Sequence, residues 1–352
     1  MSDPLSRYNA IVKGRALPHY LRTKDVPVAF TSRTSEDELW KLHRDVLGSS
    51  DSSKDKEEIT RTKGSKNLLD LKLELSERML KRCRSCEKRC GADRSKKGTG
   101  KCGVGPEPHI ASHFLHHGEE KPLNPSYTVF FAGCNFDCAF CQNHDISTDA
   151  ECGRYIPPEV LARRIEVLTE IGQAGFHVAL VHDWPVMAKN VNWVGGEPTP
   201  ALHYVIQVLR ETKANIPQIW NSNMYMSVET MELLDGIVDL YLADFKYGND
   251  RCAARLSKVD RYLEVVSRNH LIASKQADLI VRHLMLPGHL ECCTLPVLDW
   301  LAKNAPGAAI NLMDQYHPAH HALEYPELRT GVSEESFYAA KKYALEIGLK
   351  LI

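Results

Sequence analysis

From about residue 125 onward, short apolar runs alternate with helical patterns six times, and this alternation constrains the chain more than any other feature. The runs cover 127–133, 191–196, 217–223, 237–244, 279–286 and 308–316. Helical stretches follow at about 159–173, 200–212, 227–235, 252–269, 291–303 and 333–347. Apolar runs of this length, each followed by a helix, predict a parallel sheet with right-handed crossovers. The expected fold class is α/β: an incomplete (β/α)6 TIM-like barrel of parallel strands with an N-terminal helical, Cys-rich extension. Chemistry in such barrels gathers at the C-terminal ends of the strands. Four unusual motifs fall there: a cysteine loop after the first run, Gly195-Gly196-Glu197-Pro198 after the second, Asn221-Ser222-Asn223 after the third and Asp244-Phe245-Lys246 after the fourth.

Upstream, the pattern divides the chain. Residues 1–66 read as an N-terminal arm and polar linker, 67–120 as a helix plus a Cys-rich metal-binding segment, and 121–352 as the partial barrel. Within the arm, Ser35 and Glu38 form a capping box, Leu39, Leu42, Val46 and Leu47 share a face, and Gly48 is the expected stop. Residues 49–66 are polar without periodicity and read as a linker. No apolar run reaches the length of a membrane span, and the first residues lack the apolar core of a secretory signal, so the expected location is cytoplasmic, with no membrane partner. A formal net charge of −1 gives no overall basic excess for nucleic acid. The chain has eleven cysteines; in a reducing compartment these read as metal ligands or buried thiols rather than disulfides.

Cys134, Cys138 and Cys141 crowd into one C-x3-C-x2-C loop. A closed structural zinc site needs four protein ligands, and an iron–sulfur cubane normally takes four cysteines. Three cysteines on a cubane leave one iron open to an exchangeable ligand, which is a catalytic arrangement. The plainer alternatives are buried free thiols, or zinc completed by a histidine such as His144.

The loop, with the aromatic Phe140 before its third cysteine, resembles the radical S-adenosylmethionine (SAM) superfamily. The stretches GCNFDCAFCQNHDIS, NVNWVGGEPTP, YLADFKYGND and LIVRHLMLPGH are similar to the pyruvate formate-lyase activating enzyme branch, in particular its PflX-like members, over roughly residues 68–320. The resemblance implies a 4Fe–4S cluster on Cys134, Cys138 and Cys141, with SAM chelating the open iron. Reductive cleavage of SAM would then give methionine and a 5′-deoxyadenosyl radical that abstracts hydrogen. It also implies cofactor-binding roles for Phe140, Gly195, Gly196, Glu197, Asn221, Ser222, Asn223, Asp244, Lys246, Arg282 and His317. The two glycines would let backbone approach a ligand, and Glu197 would accept from the methionine ammonium. Asn221 replaces the family's usual aspartate and removes a charge. Lys246 reads otherwise as part of a surface ion pair, and Arg282 as part of a strand-edge salt bridge. A low-potential donor of the flavodoxin or ferredoxin type is the expected partner.

A second group, Cys83, Cys86, Cys90 and Cys102, is read as a closed zinc site or an auxiliary iron–sulfur cluster. Residues 81–101 carry nine Lys or Arg against two acids, a patch able to offset thiolate charge or meet an acidic partner or RNA. His109, His113, His116 and His117 are spaced as if on one helical face. Cys292 and Cys293 read as packing residues, and 176–189 as an insertion without a role. Two functions follow. One is a radical SAM oxidoreductase acting on a protein, a peptide (a glycyl position included) or a small molecule. The alternative is a non-catalytic, metal-stabilised binding module on a lapsed barrel, touching RNA or an acidic partner through the basic segment.

Overall fold

The structure, a computed structural model, describes residues 3–50, 66–96, 98–174 and 187–352. Eight strands form one sheet in sequential order: β1 (Ile110–His116), β2 (Ser126–Phe131), β3 (Asn190–Gly195), β4 (Gln218–Ser222), β5 (Leu240–Asp244), β6 (Asp278–Leu284), β7 (Ala309–Met313) and β8 (Lys350–Leu351). β1 pairs antiparallel with β2, and every later neighbour is parallel. Strands β2 to β7 fall on the six expected runs: β4, β5 and β7 lie inside them, whereas β2, β3 and β6 begin one residue earlier and end one or two residues sooner. β1 and β8 are additional to them.

The parallel strands read as nearly continuous apolar runs because both faces are covered. Toward the helices, Trp193, Trp220, Tyr241 and Val281 join the large core. On the opposite face, Ile219, Leu240, Leu242, Ile280 and Ala309 form a separate cluster with Leu5, Tyr8 and Leu123. The short helix Ser6–Val12 therefore supplies Tyr8 to the inner face of the sheet. Its backbone N–H donates to Asp278 at the start of β6 (2.7 Å), and Asn190 at the start of β3 donates to its hydroxyl (2.8 Å). The arm thus closes the end of the sheet opposite the cysteine loop.

Sequence and structure part at several places. The capping box of Ser35 and Glu38 is present, but Gly48 does not stop its helix, which spans Glu36–Ser50. The expected helix over 252–269 is two helices, Asp250–Ser257 and Tyr262–Gln276, broken where Lys258 and Arg261 take φ of 53° and 50°. His113 and His116 lie on strand β1, not on a helical face. His113 meets the Tyr127 hydroxyl (2.8 Å), and His116 pairs with Glu119 (3.3 Å). Nearly all of the expected linker and insertion, 51–65 and 175–186, lies outside the described residues. No helix among the described residues is long and apolar enough to cross a membrane.

The helix Leu68–Lys81 starts with a capping box of Asn67 and Asp70 and buries Leu69, Leu71, Leu75 and Met79. It also buries Lys72, whose ammonium meets His43 Nε2 (2.8 Å) and the Leu233 carbonyl (3.2 Å). Burial pulls the Lys72 pKa down to about 7. The unfolded chain holds that proton to about pH 10. Between about pH 7 and about pH 10 unfolding therefore takes up a proton, so this lysine makes stability climb with pH across the window and fall as pH drops through it. Lys72→Met should stabilise the protein near neutral pH and flatten that climb, as read from urea midpoints across the window. An unchanged slope would show that Lys72 does not carry it.

Candidate functional site

The loop after β2 turns back beneath the ends of β3 to β7, and one cavity opens there. Cys134, Cys138 and Cys141 line it together with Phe140, Gly195, Gly196, Glu197, Asn221, Ser222, Asn223, Asp244, Lys246 and Arg282. Ten residues proposed on sequence for cofactor contact thus share one cavity with the three thiols. His317 stands apart from the lining but meets it through Gln142, Nδ1 to Nε2 at 3.1 Å. Gln142, Asn143, Met313 and Gln315 also line the cavity; sequence reading passed over them, although the first two directly follow Cys141.

Each sulfur has a donor or hydroxyl partner. The Phe136 N–H donates to Cys134 (3.4 Å), the Ser257 hydroxyl to Cys138 (2.9 Å), and Cys141 faces the Ser147 hydroxyl (3.3 Å). Burial, reinforced by the Glu197 carboxylate, pushes the Cys134 thiol well up, and burial pushes Cys138 up to about 12 despite Lys246. Thiols so placed do not ionise on their own, whereas a coordinated metal deprotonates them outright. The three sulfurs do not all lie within 4.8 Å of one another, as ligands of a single ion would. Their spread, their hydrogen-bond donors and the absence of a fourth cysteine from the described cavity wall fit a cluster held at three corners.

The geometry gives two of the expected site features a structural role as well. A Cβ on Gly195 would stand 2.1 Å from the Phe131 carbonyl oxygen, and one on Gly196 would stand 2.3 Å from that of Gly133. The glycines first allow the end of β3 to lie against the backbone entering the cysteine loop. Glu197 is buried with its oxygens already engaged. Oε1 accepts from Ser222 Oγ (2.7 Å) and from the Thr199 N–H (3.2 Å) and hydroxyl, and Oε2 accepts from the Asn223 N–H (2.9 Å). Burial raises the Glu197 pKa against the pull of these donors. The carboxylate therefore ties the ends of β3 and β4 together, and Asn223 passes the link on to Asn135 beside Cys134 (2.7 Å). Glu197→Gln would turn one oxygen into a donor facing a donor, costing about 1–3 kcal/mol. The check is the drop in urea midpoint; no drop would mean the carboxylate is not the tie.

Lys246 and Asp244 form a pair at 2.5 Å on the cavity wall, not on the open surface. Burial alone would lower the lysine, but Asp244 and Cys138 outweigh it and hold its pKa above the ordinary value. Arg282 reaches inward to Glu120 (3.3 Å) and Glu119 (3.9 Å) from the loop between β1 and β2. Asn192 and Asn311 donate to the same two carboxylates. The arginine is therefore the cavity floor's charged tie to this loop rather than a member of a strand-edge pair.

A family model described as the radical SAM superfamily matches residues 128–301, the span from β2 to past β6. The chain carries a radical SAM superfamily domain. Such a domain supports an enzyme that uses an iron–sulfur cluster and SAM. An uncharacterized protein of Methanocaldococcus jannaschii is 40% identical over 349 residues, covering 99% of each chain. Among solved structures, methylornithine synthase is similar at 12% identity and a TM-score of 0.43, over 98% of this chain and 78% of that one. Streptococcus suis SuiB bound to S-adenosylmethionine is similar at 11% identity and a TM-score of 0.42, over 62% of this chain and 47% of that one, so the match spans a little under half of SuiB.

The first cysteine group of this radical SAM protein adjoins the cavity without lining it. Cys83 is buried, Cys86 and Cys102 are partly buried and Cys90 is exposed. Arg94 donates to Cys83 (3.6 Å), and its charge, working against burial, brings that thiol below its ordinary value. Burial pushes Cys86 up to about 12, with Cys102 and Cys83 adding repulsion, and its thiol faces Asn135, the neighbour of Cys134.

Proposed function

We propose that this chain is a radical SAM oxidoreductase of the activating-enzyme type, in the PflX-like branch. Cys134, Cys138 and Cys141 would hold a 4Fe–4S cluster whose fourth iron is left to SAM. When bound, that pair supplies reductive cleavage of SAM to methionine and a 5′-deoxyadenosyl radical able to remove hydrogen from a substrate. One observation carries the reading: three thiols and the polar and charged ends of β3 to β6 share one cavity whose described wall offers no fourth cysteine.

The chain's own residues bind, orient and exclude. Lys246, held protonated by Asp244, is the cation positioned for the carboxylate of the methionine moiety. Glu197, whose Oε1 accepts from Thr199 and Ser222 and whose Oε2 accepts from the Asn223 N–H, fixes the two loops beside the cavity and keeps acceptor capacity on Oε2 for the methionine ammonium. Phe140 packs edge-on against Tyr247 and Tyr316 and keeps water from the thiol loop. Asn221 offers a neutral amide on the wall, and Gln142 with His317 closes the rim. The substrate is a protein, a peptide or a small molecule, with a glycyl hydrogen as one option, and the electron comes from a flavodoxin or ferredoxin. The Cys83, Cys86, Cys90 and Cys102 group takes an auxiliary iron–sulfur cluster. Cys83 lies against Arg94 (3.6 Å), and no three of the four thiols lie within 4.8 Å of one another, a spread wider than one zinc ion needs.

The test is anaerobic reconstitution with iron and sulfide, followed by reductant and SAM. Methionine and 5′-deoxyadenosine should form in equal amounts. Iron-loaded protein that forms neither would end the reading. Deuterium carried from a candidate substrate into 5′-deoxyadenosine would then identify the substrate class.

A further inference from the structure

Four side chains that the radical chemistry does not use converge beside the cavity. Cys252, His289, Cys292 and Cys293 have ligand atoms all within 4.8 Å of one another, and among the described residues this is the one group of three or more His, Cys, Asp or Glu so gathered. We propose that these four bind a single zinc ion in a closed Cys3His site.

The distances suit one ion. Tetrahedral zinc with sulfur at about 2.3 Å and nitrogen at about 2.0–2.1 Å places sulfurs about 3.8 Å apart and sulfur about 3.6 Å from nitrogen. Here Cys252 and Cys292 sulfurs are 4.0 Å apart, and those of Cys292 and Cys293 are 3.9 Å apart. His289 Nδ1 stands 3.6 Å from Cys252, 3.3 Å from Cys292 and 3.8 Å from Cys293. No hydrogen-bond network explains so tight a set, because three thiols and one imidazole nitrogen offer each other only weak donors.

The local backbone is built to gather them. His289 caps a π-helical turn, Leu290–Thr294, a rare widened turn often found at functional sites. Cys292 and Cys293 follow the histidine by three and four residues, so all three project to one side. Cys252 comes from the neighbouring loop, after β5, in the first turn of the helix Asp250–Ser257. Asn249 locks the two loops: its side chain accepts from the Cys252 N–H (2.8 Å) and donates to the Cys292 carbonyl (2.7 Å). Gly248 is required there, since a Cβ would stand 2.8 Å from the carbonyl oxygens of Cys292 and Cys293. His289 Nε2 is buried with no hydrogen-bond partner and points to the Glu327 carboxylate at 3.8 Å. A carboxylate behind the second ring nitrogen is the usual outer partner of a metal-bound histidine.

Four protein ligands leave no open position, so the ion is a fastener. It joins the loop after β5, which carries Lys246, to the loop after β6. The helix that carries Cys252 in its first turn ends at Ser257, whose hydroxyl meets Cys138 and whose carbonyl accepts from the Asp137 N–H (3.2 Å). Zinc would thereby hold one wall of the cysteine loop in place. The zinc assignment does not rest on the radical reading, and its test reads zinc rather than activity.

The test uses full-length, untagged protein purified anaerobically. Elemental analysis should find about one zinc per chain, and zinc X-ray absorption should fit three sulfurs and one nitrogen at the distances given above. Cys252→Ser combined with Cys292→Ser should cut zinc at least about tenfold, while Cys86→Ser retains it. Any of four results overturns the proposal: no zinc in the wild-type protein, a shell without three sulfurs, zinc lost from Cys86→Ser but kept in the double variant, or a disulfide between Cys252 and Cys292 in peptide mass spectra. The absorption measurement on wild type decides the matter even where the double variant does not fold.

Discussion

Replacing Cys141 with alanine should reduce 5′-deoxyadenosine formation to the background of the metal-free protein, a loss larger than the roughly 10–100-fold typical of outer partners at a metal site. The side chain is partly buried and its recorded contact is the Ser147 hydroxyl, so alanine removes a ligand without opening a core cavity. The cost in folding stability should therefore stay within about 1 kcal/mol. The variant separates the two effects: the protein stays folded but keeps only two of the three thiols that would hold the cluster. Cys152→Ala, a thiol outside the cavity lining, should leave turnover unchanged. Full product formation by iron-loaded Cys141→Ala would show that the cleavage centre is not in this loop.

What sequence could show of this site follows from how such a fold distributes its chemistry. Strands β2 to β7 are buried on both faces, so they read as apolar runs, and their ends are where polar residues reappear. Cys134, Glu197, Asn223 and Lys246 were therefore legible as a group before any contact was known. Functions that depend on a partner from elsewhere in the chain were not. Arg282 invites a strand-edge pair until Glu119 and Glu120 arrive from the loop at the far end of β2. The close approach of the second motif's glycines to the carbonyls of Phe131 and Gly133 depends on the path of the cysteine loop. The tie that Glu197 makes to Thr199, Ser222 and Asn223 likewise depends on how the ends of β3 and β4 meet.

The group of Cys252, His289, Cys292 and Cys293 was hidden for a related reason. Cys292 and Cys293 are adjacent, and in a regular helix adjacent side chains diverge by about 100°, which argues for packing. The π turn after His289 and the approach of Cys252 across the Gly248 gap bring them together, and neither follows from spacing. Strand β1 was missed because its four nearby histidines, at intervals of three and four, imitate a helix face; pairing with β2 overrides that local pattern.

Arg94→Met should be among the most destabilising single changes in the protein, at about 3–5 kcal/mol, read as a fall in urea midpoint. The guanidinium is fully buried and serves three backbone carbonyls: Val104 (2.7 Å), Pro200 (2.7 Å) and Gly105 (3.3 Å). It also lies against the Cys83 sulfur. Methionine matches its length but strands the buried Val104 and Pro200 carbonyls and frees the partly exposed Gly105 carbonyl, and each unmade bond to a buried acceptor carries its desolvation cost. Pro200 lies three residues past Glu197, so the arginine welds the first cysteine group to the loop after β3. Arg94→Lys distinguishes charge from geometry. A lysine keeps the positive charge beside Cys83 but cannot serve three acceptors in a fixed fork, so it should recover only part of the lost stability. Full recovery by lysine would mean that the charge alone matters. A loss below about 1 kcal/mol in the methionine variant would mean that water reaches the carbonyls and that the Cys-rich segment is not fastened to the cavity wall in this way.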